Sequence, residues 1–179
     1  TLTTSSAASD VYKRQGNYLF TVKKNIEANE VQNQNRTGTC WSFSALSFIE
    51  SELIRMDKGT HKLSEMYVVR KAYEDKAENY VRMHGTANFG QGGAFHDIPH
   101  VIKKYGIMPQ EAYKGLNYGL ESHNHSEMEA VLKNMLDAII KNKQGKLTTS
   151  WKAAFNAVLD AYLGPCLLYT SPSPRDPIG

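Results

Sequence analysis

Cysteine is scarce in this chain, with two among 179 residues, Cys40 and Cys166. A disulfide framework is therefore not expected, and either the compartment is reducing or the fold needs no bridge. Charge of one sign is not in excess either. A formal net charge of +3 is too small, and too evenly spread, to argue for nucleic acid. No apolar stretch approaches the ~20 residues of a membrane-spanning helix. A basic-then-apolar leader pattern is missing at the N-terminus, and no internal repeat is visible. What is present is ordinary: 41% hydrophobic and 22% charged residues, the balance of a soluble globular protein. The length suits one domain or a large part of one, able to bury a core without staples.

The two ends differ from the middle. Residues 1–15 read TLTTSSAASDVYKRQ and residues 165–179 read PCLLYTSPSPRDPIG, the latter holding four of the six prolines. Neither carries a periodicity that continues inward, and a proline-rich tail cannot extend a helix. Both are read as non-native flanks, with native disordered tails as the alternative. The native N-terminus is then taken as lost, and the informative domain is 16–164.

Within that domain the pattern is helical. Residues 18–22 suit one short strand, and the polar segment 23–38 reads as loop. From Cys40 onward Leu46, Ile49, Leu53 and Met56 share one face, with Lys58-Gly59 as the stop. Ser64 caps a second helix burying Met66, Val69, Tyr73, Ala77 and Tyr80. The Gly- and Asn-rich stretch 84–93 is loop. A third helix carries Phe95, Ile98, Val101, Ile102 and Tyr105 and stops at Gly106. An interior proline costs ~3 kcal/mol, so this helix is expected to start late, with Asp97 as cap and Pro99 in its first turn. Ser126 and Glu129 fit a capping box for a fourth helix with Met128, Val131, Met135 and Ile139 inward. Trp151, Phe155, Val158 and Tyr162 form the stripe of a fifth, ending at Gly164. The fold class expected is mainly α.

One stretch carries chemistry. In VQNQNRTGTCWSFS, residues 31–44, a cysteine stands where a glycine-containing loop becomes a helix. Unpaired N–H groups at a helix start carry positive potential and favour thiolate over thiol, the form a nucleophile needs. Gln34 lies six residues earlier in the same loop. Its side-chain N–H, with the backbone N–H of Cys40, could hold the oxyanion of a tetrahedral intermediate, and losing such a donor typically costs ~2.7–4 kcal/mol. A cysteine before an amphipathic helix is on its own more often a buried core residue.

The whole string shifts that balance. Gln34, Gly38, Cys40, Trp41, Phe43 and Ser44 at this spacing resemble the active-site segment of papain-like cysteine peptidases. NQNRTGTCWSFS, followed by LSEMYVVRKAYEDKAENYVRMHGTANFGQGGAFHDIPHVIKKYG, resembles the bleomycin hydrolase and aminopeptidase C branch, over nearly all of 16–164. The resemblance implies Cys40 as nucleophile, Gln34 as oxyanion residue, and Trp41 packed behind the site. It implies Gly92 and Gly93 along the cleft wall, where a substrate backbone pairs with the enzyme, Gly93 being the favoured contact. It further implies the helical left-hand domain of an α+β family fold without its strand-rich right-hand domain. A peptide substrate is implied, with no cofactor, no metal, no nucleic acid and no membrane. Aminopeptidase action and a hexamer are implied only for the full-length protein. Secreted papain relatives usually carry a disulfide cysteine three residues before the nucleophile. Thr37 stands there, which favours a cytoplasmic location while leaving it open.

A thiolate peptidase also needs a histidine, and a group such as Asn to orient it. None of His61, His84, His96, His100, His123 and His125 stands in the small-residue, strand-like context the family uses. The expectation is that the histidine and asparagine lie beyond this chain, and that the 179 residues alone show no normal turnover. The alternative function is a non-catalytic helical interaction module in which Cys40 is incidental. His96 and His100 are four apart, but Asp-Ile-Pro between them is not a zinc-peptidase pattern, so surface or core histidines are the expected reading. His123 and His125 read as a helix-capping loop. The sequon at Asn35 is read as chance, because a glycan there would crowd the site. Gly90-Gln91-Gly92-Gly93 lacks the Lys-Ser/Thr of a phosphate loop.

Overall fold

The computed structural model describes residues 21–117, 119–142 and 147–166. Among the described residues the regular elements are five helices: α1 (Cys40–Arg55), α2 (Glu65–Arg82), α3 (Asp97–Tyr105), α4 (Ser126–Lys141) and α5 (Ser150–Leu163). Two isolated bridges, Arg36 with Asn124 and Leu63 with Pro109, join the loops between them. The mainly α expectation holds. The strand expected over 18–22 falls largely outside the described residues, and Thr21 and Val22 are not in one. The flank at 1–15 and residues 167–179 also lie outside them.

Helix α2 is the axis of the domain and packs against each of the other four. Ser64 caps it as expected. Its Oγ accepts from the Tyr67 N–H at 3.0 Å and donates to the Tyr113 carbonyl at 2.6 Å, so one hydroxyl starts the helix and ties it to a distant loop. Met66, Val69, Tyr73, Ala77 and Tyr80 are buried, and so are Tyr67, Val68 and Ala72. A helix covered on every side buries polar groups too, and these need partners. Arg70, 3% exposed, donates to the Gly164 carbonyl at 3.1 Å and meets Asp160 at 2.7 Å. The core continues through Ile98 and Val101 of α3, Met128, Leu132 and Leu136 of α4, and Phe155, Leu159 and Leu163 of α5.

Four stripes differ from expectation. In α1 the buried side is Trp41, Ser42, Ala45, Leu46 and Glu50. Ile49 and Leu53 are only half-buried, and Met56 is exposed. The reason is that the buried polar residues on this side are hydrogen-bonded. Ser42 Oγ donates to the Glu65 carbonyl, and Glu50 accepts from the Leu63 N–H and the Asn29 amide. Phe95 precedes α3 and is exposed, edge-on to Phe48. In α4 the inward row is Met128, Leu132 and Leu136, while Val131 is exposed. In α5 Phe155, Leu159 and Leu163 are buried, with Trp151, Val158 and Tyr162 at the margin of the core.

Three helix ends also differ. Helix α1 ends at Arg55, with Asp57 in the left-handed region at φ 57°. The Lys58 N–H reaches back to the Leu53 carbonyl and the Asp57 N–H to the Ile54 carbonyl, a Schellman closure built without glycine. The capping box of α4 does not form. His125 is its N-cap residue, and Asn124 Oδ1 instead accepts from the Ser126 N–H. At α3 the N-cap is His96, and Asp97 is the first helical residue. Pro99 falls in the first turn, as expected from its missing N–H.

Candidate active site

Cys40 is the first residue of α1 and is exposed. Thr39 occupies the N-cap position, but its side chain makes no capping bond to the helix, because its hydroxyl pairs with that of Thr37. The Ser42 and Phe43 N–H groups return to the Thr39 carbonyl. The N–H groups of Cys40 and Trp41 remain unengaged among the described residues, beside the thiol. This is the open helix start that the sequence pattern predicts.

The loop before Cys40 is folded onto itself. Thr37 Oγ1 donates to the Gln34 carbonyl at 2.8 Å, and Gln34 Nε2 donates to the Thr37 carbonyl at 2.6 Å. Asn35 between them is left-handed, φ 54°, a conformation Asn tolerates better than most residues. Arg36 is held by the loop before α4: its N–H donates to the His123 carbonyl at 3.0 Å, and its carbonyl accepts from the His125 N–H at 3.3 Å. Thr37 is buried, and its hydroxyl contacts help fix this loop before Cys40.

The glycine loop lies against this segment. A Cβ on Gly93 would stand 2.6 Å from Cε2 of the Trp41 indole and 2.9 Å from Oδ2 of Asp97, whereas one on Gly92 would meet nothing within 4 Å. Gly93 therefore rests on the ring that follows the candidate nucleophile, and among the described residues its own N–H and carbonyl are unengaged. The neighbouring carbonyls are taken. Lys76 of α2 donates to those of Gly90 and Gly92 and sits 5.4 Å from the Trp41 ring centre. Burial holds its ammonium below the usual lysine range, with Asp97 and Glu129 opposing that effect.

Gln91 joins the two segments. Its backbone carbonyl accepts from Trp41 Nε1 at 2.9 Å, and its Oε1 accepts from the Gly38 N–H at 2.7 Å. Its Nε2 donates to Glu129 of α4. Sequence reasoning singled out Gly92, Gly93 and Trp41 and missed Gln91, Lys76 and Glu129. The available signal was one polar residue set beside the glycine pair. The capping box that the sequence suggests for Glu129 does not form.

The histidines are dispersed. His61 bonds the Lys58 carbonyl, His84 is a left-handed residue at the end of α2, and His100 pairs with Asp75. His96 is exposed near Asp97. His123 and His125 stack edge-on at 6.0 Å under Arg36. Burial lowers the pKa of both, that of His125 to about 4. None is hydrogen-bonded to Cys40, and among the described residues no three metal-ligating side chains cluster. A cavity of about 610 Å³ lies near the Leu63–Pro109 bridge, lined by His61, Lys62 and Lys114. It includes none of Cys40, Gln34, Gly92 or Gly93.

The family model described as "Papain family cysteine protease" matches residues 19–163. Curated relatives include "Cysteine proteinase 1, mitochondrial" from Saccharomyces cerevisiae strains YJM789 and AWRI1631, each 24% identical over 123 residues, covering 59% of this chain and 26% of the relative. The chain thus spans about a quarter of the length of these relatives. Among solved structures, pepw from Lactobacillus rhamnosis HN001 superimposes with a TM-score of 0.64 at 19% identity, over 88% of this chain and 40% of that one. This likeness shows the fold.

Proposed function

Because the chain belongs to the papain family of cysteine proteases, we propose that it supplies the nucleophile half of a thiol peptidase site, with Cys40 as nucleophile and Gln34 as oxyanion donor. The observation that supports this most directly is the exposed thiol at an uncapped helix start, facing unengaged N–H groups and flanked by a glycine wall. Cys40 Sγ, as thiolate, adds to the scissile carbonyl carbon, and the carbonyl π pair moves onto oxygen. The Cys40 N–H and Gln34 Nε2 hold that oxyanion. One hydrogen of Nε2 is engaged with the Thr37 carbonyl, and an amide nitrogen has a second to offer. Collapse breaks the C–N bond, and the amine leaves with a proton from an imidazolium. Water, deprotonated by the same imidazole, then hydrolyses the thioester and regenerates the thiol.

The imidazole is the missing part. We assign it, with its orienting Asn, to residues beyond this chain, because none of the described histidines is hydrogen-bonded to Cys40 and relatives run to several times the matched length. Peptide is the proposed substrate. Aminopeptidase action and assembly into a hexamer are proposed for the whole protein, on the resemblance to the bleomycin hydrolase and aminopeptidase C branch. The test is alkylation of Cys40 by iodoacetamide at mildly acidic pH in a Cys166→Ser background. Alkylation faster than a model thiol is expected, with no peptide turnover. A model-like rate would favour the helical interaction module instead, and turnover abolished by Cys40→Ala would refute the missing base.

A further inference from the structure

Gln91 carries more bonds than a loop residue beside two glycines needs. It touches the loop before Cys40 through Gly38, the indole after Cys40 through Trp41, and helix α4 through Glu129. A carboxylate only accepts, so Glu129 fixes which end of the Gln91 amide faces it. The Nε2 end turns to Glu129, and Oε1 is left for the Gly38 N–H. The contact is close as well: a Cβ on Gly38 would stand 3.0 Å from the Gln91 Cβ. A side chain on Gly38 would therefore push Gln91 back by a few tenths of an ångström.

On the peptidase reading above, we propose that Gln91, oriented by Glu129, is a positioning residue that locks the nucleophile loop to the glycine wall. The two segments are separated by 53 residues in sequence and bear different halves of the same task. Residues 34–40 hold the attacking atom and its oxyanion donors, while Gly93 offers backbone to the substrate. Their relative placement sets whether a bound peptide meets Sγ at attack distance, and small displacements there are expensive in rate. The Gly38 bond fixes the peptide unit two residues before Cys40. The Trp41 bond fixes the ring on which Gly93 rests. Lys76 secures the Gly90 and Gly92 carbonyls of the same wall, so the wall cannot follow the loop if Gln91 lets go.

The test exchanges the chemistry of the pair in the 179-residue chain carrying Cys166→Ser. Gln91→Glu alone sets two carboxylates against each other. It is expected to slow Cys40 alkylation by about tenfold, the rate equivalent of one lost hydrogen bond, and to speed exchange of the Gly38 amide by a similar factor. Adding Glu129→Gln restores a donor–acceptor pair of opposite sense and is expected to return both readouts to within about twofold of the parent. Glu129→Gln alone, which removes charge and little volume, should give an intermediate loss and serves if Gln91→Glu does not fold. Slowed alkylation with the urea midpoint of global unfolding unchanged is what a purely structural role would not produce, and rescue by the exchanged pair assigns the effect to this contact. Unchanged alkylation and exchange in the single variants, or no rescue in the double, overturns the proposal. A parent whose Cys40 alkylates like a model thiol would instead undo the peptidase reading, and Gly38 exchange would still decide whether Gln91 clamps the loop.

Discussion

Gly93 lies against the face of Trp41, with the site of its absent Cβ 2.6 Å from Cε2 and 2.7 Å from Cδ2 of the indole. The residue after the candidate nucleophile therefore forms the floor under the glycine wall, and only glycine fits above it.

Substitution at the two adjacent glycines should separate sharply. Gly93→Ala must displace the indole or Asp97, and overpacking of this kind costs about 1–3 kcal/mol. Gly92→Ala meets open space and is expected to leave stability unchanged or to raise it by up to about 1 kcal/mol through the unfolded chain. Urea denaturation of the two variants measures the difference. Equal costs would contradict the contact with Trp41.

Stability should fall on acidification through the His123–His125 pair. Burial, with a smaller contribution from His123, holds the folded-state pKa of His125 at about 4, below the unfolded value of 6.5. The unfolded chain then takes up the proton first. The contribution is complete above about pH 6.5, is lost as pH falls toward 4, and amounts to about 3 kcal/mol at most. His125→Leu should flatten this part of the stability–pH curve. A curve of the same slope in the variant would remove His125 as its source.

Glu50 shows how a buried carboxylate holds a loop. One oxygen accepts from the Leu63 N–H at 2.7 Å, the other from Asn29 Nδ2 at 2.8 Å. Glu50→Ala strands a backbone donor and is expected to cost about 1–3 kcal/mol. Glu50→Gln keeps one acceptor and should lose less. The Leu63 amide should exchange faster in the Ala variant, and protection as in the parent would show that another acceptor takes over.

Asp57 closes α1 in the left-handed region that glycine adopts without strain. Asp57→Gly should therefore raise stability by up to about 1 kcal/mol, read as an increase in Tm. A decrease would mean that the Asp57 side chain contributes more than its backbone conformation costs.

Much of the local structure around the candidate site was legible in the string itself. Ser64 as a cap, the stop at Gly164, and the helix start at Cys40 follow from local chemistry, because a cap or a positive φ is decided within a few residues. The Ser126–Glu129 capping box failed for a reason no local rule contains. Glu129 has a better use 38 residues away on Gln91. The α1 stripe failed likewise, since counting large apolar side chains overlooks Ser42 and Glu50, which are buried because α2 and the loop at Leu63 meet their polar atoms.

By itself, then, the sequence determined that the chain is helical, that Cys40 opens a helix, and that Gln34 shares its loop, for each depends on neighbours along the chain. Tertiary structure decided which way each helix turned. It set Gly93 rather than Gly92 on the indole, and it made Gln91 the joint between the two segments. Those outcomes depend on which distant groups arrive within hydrogen-bond reach, and a buried polar atom takes the partner that packing brings to it.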